Sequence, residues 1–442
     1  MDDKQVTIVI SDLHIGGGPA DKGDDHIYQK QELVRFVRTL ADSPEGTKGA
    51  IELFINGDFL EFAQADQAAF SFDSNDFWCS EEESKRKVQT IIAGHTDIFN
   101  ELAALQKTGN IVTLAAGNHD VDIYWPAVQA HLREVAGDGI RFELGKEWSS
   151  RYGGKLLIGH GHLHDPANTF KNWENPIRRA NSGQLRLEMC PGTLFMVKFV
   201  NKLEAKYPFA DNLLPVTKLA SVLLREDKLS LMAVGWMFAR FSASSPSALG
   251  VKEADEIGMR LHTRFRENSA ACDQLEAVLE KAGLALEYPR VDLPQLSEKR
   301  LAKLMFRLLS CIDEREWEAM FGVPRAPTIG AAEDVTLAAI VKANFDDGKM
   351  KLQDVAQGKI DSGAEVVVMG HTHQPDEVHF VDGGHYYNPG CWTRYLELKP
   401  GQKITMQDLA DESKYPYQLN YVRIERTYSG SILHRKVCFE YG

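Results

Sequence analysis

Paired cysteines, a long apolar run and an excess of basic charge are all missing from this chain of 442 residues. The six cysteines, Cys79, Cys190, Cys272, Cys311, Cys391 and Cys438, are scattered with no paired spacing. That argues against a disulfide framework or a zinc knuckle and fits a reducing compartment. The most apolar stretch, Leu229 to Ala239, spans 11 residues and ends at Arg240, too short to cross a bilayer. The opening residues are acidic and run straight into a strand pattern, so no secretory leader is expected and the chain reads as cytoplasmic. Acidic residues outnumber basic ones by 63 to 50, a net charge of −13. A protein that grips polynucleotide through many phosphates usually shows the opposite sign, so nucleic acid is a disfavoured partner. No repeat or low-complexity tract is visible.

What remains is an ordinary globular balance, 43% hydrophobic and 26% charged, in a chain long enough for a main domain and a second unit. Apolar runs alternate with helical patterns over the first 160 residues. Strands are expected at Val6–Ile10, Ile51–Ile55, Ile111–Ala115 and Lys155–Ile158, with helices at Gln31–Leu40 and, as one long element, Glu81–Gln106. From about Asp165 to Val355 the pattern is mainly helical, including Leu275–Ala282, Ser297–Ile312 and Ala331–Phe345. Strand character returns at Glu365–Met369, Val378–Val381, His385–Tyr387, Gln418–Glu425 and Ile432–Glu440. The expectation is an α/β core built from residues 1–164 and 363–442, interrupted by a mainly helical insertion or cap over 165–362.

Five of these strands run directly into residues that bind metals. They lead to Asp12-Leu13-His14, Gly57-Asp58, Gly117-Asn118-His119-Asp120, Gly159-His160-Gly161 and Gly370-His371-Thr372-His373. Loops beyond the carboxyl ends of strands in layered α/β folds share one rim, so distant motifs can meet there. In an extended segment residues i and i+2 face one side, which would aim Asp12 with His14, and His371 with His373, into one volume. The preceding glycines would let the backbone turn sharply. Two carboxylates, four imidazoles and an amide oxygen, with no thiolate, suit manganese, iron or zinc in an open coordination sphere. Seven ligands exceed what one catalytic ion needs and fit two ions bridged by Asp58.

The ordered set Asp-x-His, Gly-Asp, Gly-Asn-His-Asp, Gly-His and Gly-His-x-His resembles the calcineurin-like metallophosphoesterase superfamily. The resemblance covers residues 5 to about 164 and 363–395. It implies a β-sandwich flanked by helices and a dinuclear centre that activates hydroxide against a phosphomonoester or phosphodiester. By motif, Asp12, His14, Asp58 and His373 would hold one ion, and Asp58, Asn118, His160 and His371 the other. His119 would stand beside the substrate as an unligated acid, with Asp120 orienting it.

A small phosphorylated substrate is the expected partner. Arg178 and Arg179 could clamp its phosphate, although a solvated basic pair on a helix is the simpler reading. Asn388, in Asn388-Pro389-Gly390, would lie beside the site, where it could touch the substrate or support the His371 loop. His162 and His164 extend the fourth motif, but such positions often turn to solvent. Other readings stay open: a nuclease of the same superfamily, a pyrophosphohydrolase acting on a nucleotide-linked lipid precursor, or a metal-free scaffold. Histidine in the third motif departs from the arginine that the lipid-precursor enzymes carry.

Overall fold

The computed structural model describes residues 3–18, 30–165, 167–197, 347–381, 383–393 and 419–440, with short pieces at 201, 213–214, 273, 276–277, 279–280, 396–397, 405–409, 411 and 414. The expected helices at 297–312 and 331–345, the apolar stretch at 229–241 and half of 275–282 lie outside the described residues.

Two β-sheets carry the described fold. The first runs in the order β13-β12-β1-β2-β3-β4, formed by β1 (Val6–Ile10), β2 (Ile51–Asn56), β3 (Ile111–Ala115), β4 (Arg141–Glu143), β12 (Asn420–Arg426) and β13 (Ile432–Cys438). The second runs β10-β11-β9-β6-β5, formed by β5 (Ser149–Arg151), β6 (Leu156–Ile158), β9 (Val366–Val368), β10 (Asp376–His379) and β11 (His385–Asn388). β1, β2 and β3 are mutually parallel, and β9 is parallel to β6 and β11. The sheets face each other across one core, to which Val9, Phe54, Val422 and Ile424 come from the first, and Leu156, Ile158, Val366, Val368 and Tyr387 from the second.

The outer faces are covered too, which explains why the strands read as unbroken apolar runs. Helix α1 (Lys30–Asp42) buries Leu33, Phe36, Val37 and Leu40, and α3 (Thr96–Lys107) buries Ile98, Phe99, Leu102 and Leu105 and packs on β3. α2 (Glu81–Gly94) and α4 (Pro126–Ala136) pack beside them. On the second sheet, Leu352, Ala356 and Ile360 of α5 (Asp347–Asp361) meet Val367, Met369 and Tyr386. Val366 and Val368 thus point inward while Val367 lies under the helix, the period-two geometry of a strand buried on both sides.

The single helix expected over 81–106 is two. Its break falls at Gly94 and His95, where φ of His95 is −134°. A side chain on Gly94 would meet the Gly17 carbonyl at 2.8 Å, so the close passage of the 17–18 loop requires glycine there. Thr96 then returns its hydroxyl to the Ile92 carbonyl at 3.1 Å and starts the next helix.

Backbone contacts divide the chain into two compact units: Met1–Asn212 with Asp347–Glu397 and Leu409–Gly442, and Leu213–Asp346 with Leu398–Asp408. Residues 165–212 and 347–362, expected in the insertion, therefore belong with the sheets. The reason is pairing and burial. A hairpin of β7 (Ile177–Arg179) and β8 (Leu185–Leu187) bonds to the segment before α2, with Trp78 N donating to Leu187 O at 2.8 Å and Leu187 N to Cys79 O at 3.0 Å. α5 supplies the apolar cover described above. No described helix is long and apolar enough to cross a membrane.

Candidate metal centre

All five motifs lie just beyond the carboxyl ends of parallel strands, β1, β2 and β3 in one sheet and β6 and β9 in the other. Backbone bonds stitch the loops together. Leu13 N and His14 N both donate to Asp58 O at 2.9 Å, and Gly370 N donates to His160 O at 2.9 Å. Asp12, His14, Asp58, Asn118 and His160 are buried, and His371 and His373 stand at the edge of the cluster.

Two overlapping sets of donors converge. Asp12, His14, Asp58 and His373 offer ligand atoms within 4.8 Å of one another, and so do Asp58, His160 and His371. Asp58 belongs to both sets. The aim of the imidazoles is fixed from behind. His160 Nδ1 donates to the Asn56 carbonyl at 2.8 Å, an acceptor only, which turns Nε2 to Asp58 Oδ2 at 3.0 Å. His14 Nδ1 lies 2.7 Å from Glu61 Oε2, and its Nε2 faces His373 Nε2 at 2.9 Å and Asp58 Oδ2 at 3.9 Å. Asn118 Oδ1 is buried without a partner, while its Nδ2 donates to Asn168 Oδ1 at 3.2 Å. Converging nitrogen lone pairs and carboxylates, with an orphaned amide oxygen in the third motif, are a donor set that fits cations.

The aiming does not come from extended backbone. φ is +54° at Asp12, +45° at His14, +49° at Asp58, +70° at His371 and +58° at His373. These are five of the seven non-glycine residues with positive φ among those described. The i, i+2 argument for one-sided display is therefore replaced by left-handed turns, each costing on the order of 1–3 kcal/mol and held in place by the surrounding bonds. Of the glycines that precede the ligands only Gly57 turns with positive φ, +78°; Gly161, which follows His160, does so as well, at +110°. Gly117 is needed for close approach: a Cβ there would stand 2.8 Å from Asp58 N and collide with its carboxylate.

The electrostatics follow from burial against pairing. Burial raises the Asp12 carboxyl, His160 opposes it, and the net shift is upward. For Asp58 burial also pushes up, but His160, His119 and His14 outweigh it and hold the carboxyl well below its ordinary range. His160 would be lowered by burial, yet Asp58 and Asp12 bring it up to about 9. His119 is likewise raised to about 10, with Glu61 and Asp58 overcoming burial.

Asp120 does not orient His119. Its carboxylate accepts from Gly117 N at 2.6 Å and Phe59 N at 2.8 Å, tying the third motif to the second, and burial together with Asp58 lifts it to about 7. The group beside His119 Nδ1 is Glu61 Oε2, at 2.7 Å. Glu61 is fully buried, touches His14 and His119 alike, and is held well below the usual carboxylate range because those histidines outweigh its burial. The sequence reading passed over Glu61, although it sits three residues after Asp58. Asp165 was missed as well: its Oδ2 lies 3.1 Å from His371 Nε2 and accepts from Asn168 Nδ2 at 2.7 Å.

Other expectations move. Asn388 spends its side chain on the fifth motif, donating to Gly370 O at 2.9 Å and Thr372 Oγ1 at 3.0 Å and accepting from Gly390 N at 2.8 Å, so it holds the loop and has no polar atom left for substrate. Arg178 and Arg179 lie on β7, not on a helix. Arg178 stands 4.0 Å from Glu188 and over the Phe77 ring, and Arg179 donates to Gly183 O at 2.6 Å. Among the described residues neither contacts a motif ligand. His162 does not turn to solvent: it is buried, with its ring 4.4 Å from that of Trp173, and burial with His160 and His371 nearby holds it well below its ordinary pKa. No family model matches this chain, and no curated protein matches it.

Proposed function

We propose that this chain is a metal-dependent phosphoesterase, with Asp12, His14, Asp58 and His373 holding one divalent ion and Asp58, Asn118, His160 and His371 a second. One observation carries the reading: His14 and His160 are each pinned through Nδ1, so that both Nε2 atoms face the Asp58 carboxylate. Ions of the manganese, iron or zinc class held there would make water acidic enough to attack near neutral pH and would offset charge on phosphoryl oxygens.

The protein's own groups do the rest. Glu61 Oε2 fixes the ring of His14 and places its charge beside His119 Nδ1. His119 Nδ1 lies 2.7 Å from Glu61 Oε2, so Nε2 is the nitrogen turned from that carboxylate to serve a substrate. Its raised pKa means that it carries a proton at neutral pH in the metal-free protein, one it can give to a departing alkoxide. Asn388 and Asp120 keep the loops that carry His371 and Asp58 from drifting.

The test is hydrolysis of aryl phosphate monoesters, bis-aryl diesters and a nucleotide pyrophosphate, with manganese added and after chelation. Manganese-dependent turnover of one class, abolished by chelator and restored by metal, is expected. Metal-loaded protein that binds less than one equivalent and turns over none of the three would end the proposal.

A further inference from the structure

Far from the motif loops, at the open edge between the two sheets, three more imidazoles gather. His379 on β10 and His385 on β11 are direct cross-strand partners, with ring centroids 4.5 Å apart. His434 of β13, in the other sheet, brings its ring to 4.3 Å from that of His385. The apolar core ends beside them at Tyr387 and Ile432. We propose that His379, His385 and His434 form a separate binding site for one divalent transition-metal ion, with Glu377 as an additional oxygen donor.

His434 already has the partner that a ligand needs. Tyr387 Oη lies 3.0 Å from His434 Nδ1, which fixes that ring and reserves Nε2 for an ion. Glu377 Oε1 lies 3.1 Å from His379 Nε2, and its other oxygen stands 3.7 Å from Lys436 Nζ. His385 Nδ1 is buried and has no hydrogen-bond partner. A buried ring nitrogen without a partner, on a ring flanked by two other imidazoles, is poorly served by protein alone, and a cation satisfies it. Burial and its histidine neighbours hold both His385 and His434 below the ordinary range, so both offer lone pairs at neutral pH. His379 is 63% exposed and is free to rotate its ring from Glu377 towards an ion. Three imidazoles and one carboxylate suit zinc, nickel or copper and not magnesium or calcium. An ion here would tie the β10–β11 hairpin of one sheet to β13 of the other, adding its binding free energy to the fold.

Zinc alone, titrated calorimetrically into the full chain, tests the site. His379→Ala, at an exposed position that folding tolerates, is expected to weaken one zinc equivalent at least tenfold, as is His434→Ala. Asp58→Asn, which disables the motif cluster, is expected to leave that equivalent in place, so this site and the proposed catalytic centre fail independently. Equal zinc stoichiometry and affinity in the parent, His379→Ala and His434→Ala proteins overturns the proposal. Loss of the same equivalent in Asp58→Asn does so too.

Discussion

Two regions of this protein bury charge, and they do it in opposite ways. Beneath the β7–β8 hairpin, Arg186, Glu83, Lys87 and Asp122 are all buried. There every group is answered. Arg186 donates to Glu83 Oε1 at 3.1 Å and to Trp78 O at 2.8 Å; Glu83 also accepts from Ser80 N and Ser71 N. Lys87 Nζ donates to the carbonyls of Phe62 and Ala65, and Asp122 accepts from Trp78 Nε1 at 2.8 Å and from Ser84. None of these four residues has positive φ. At the motif rim the lone pairs face each other, an amide oxygen is orphaned, and five ligand residues sit in left-handed backbone. Burial of charge is common to both. Unanswered convergence with strained backbone belongs to one, and that is the property that points to a ligand.

The contrast can be broken at its strongest point first. Asp58→Asn removes the carboxylate shared by both donor sets, and turnover is expected to fall at least ~1000-fold, about 4 kcal/mol of transition-state stabilisation, with metal lost by elemental analysis. Retention of both metal and turnover would show that the convergence is incidental. Arg186→Ala is the counterpart in the answered network. It leaves Glu83 buried without its cation, so a loss of about 3–5 kcal/mol in denaturant unfolding is expected, with turnover per folded molecule unchanged.

Asp122 sharpens the same side of the comparison through pH. Burial, only partly offset by Ser84, Trp78 and Lys87, raises its carboxyl to about 6 from 3.8. A raised carboxyl favours the fold while protonated, so this contribution is complete below pH 3.8 and fades as pH rises through about 6. Asp122→Asn, whose amide can still meet Trp78 and Ser84, should remove that dependence and stabilise the protein at pH 8 by at most about 3 kcal/mol. Parallel melting curves for both proteins from pH 4 to 8 would contradict it. The smallest effect concerns Glu61→Gln. It keeps the shape but weakens the hold on His14 and His119, and a loss of about 10- to 100-fold in metal affinity or turnover is expected, as for groups behind ligands. A shift of the pH–rate profile should accompany it, because His119 would lose its main electrostatic support. A purely structural Glu61 would change melting and leave that profile in place.

Much of the described fold was readable in the chain. Val6–Ile10, Ile51–Ile55 and Ile111–Ala115 announce strands because both faces of their sheet are covered, so hydrophobicity alone marks them. The motif residues were readable because each follows such a strand. What was hidden depends on partners far away in sequence. Left-handed φ at Asp12 and His371 is dictated by bonds from other loops, not by local propensity. Glu61 carries no spacing that sets it apart from an ordinary acidic residue; only its contacts with His14 and His119 give it a role. The break at Gly94 arises from a loop 77 residues earlier in the chain, around Gly17. A helix at Arg178 and Arg179 is ruled out by a pairing that local sequence does not announce, that of β7 with β8.

The register of β12 has a consequence for how the chain is made. Val6 pairs with Glu425 and Val9 with Val422, so β1 lies between β2, which follows it soon in the chain, and β12, which is made far later. At ribosomal rates of about 5–20 residues per second, β1 waits for on the order of tens of seconds with one hydrogen-bonding edge bare. During that interval it is an apolar strand open to pairing with any neighbouring chain, a period in which a holding chaperone would matter more than at any later stage.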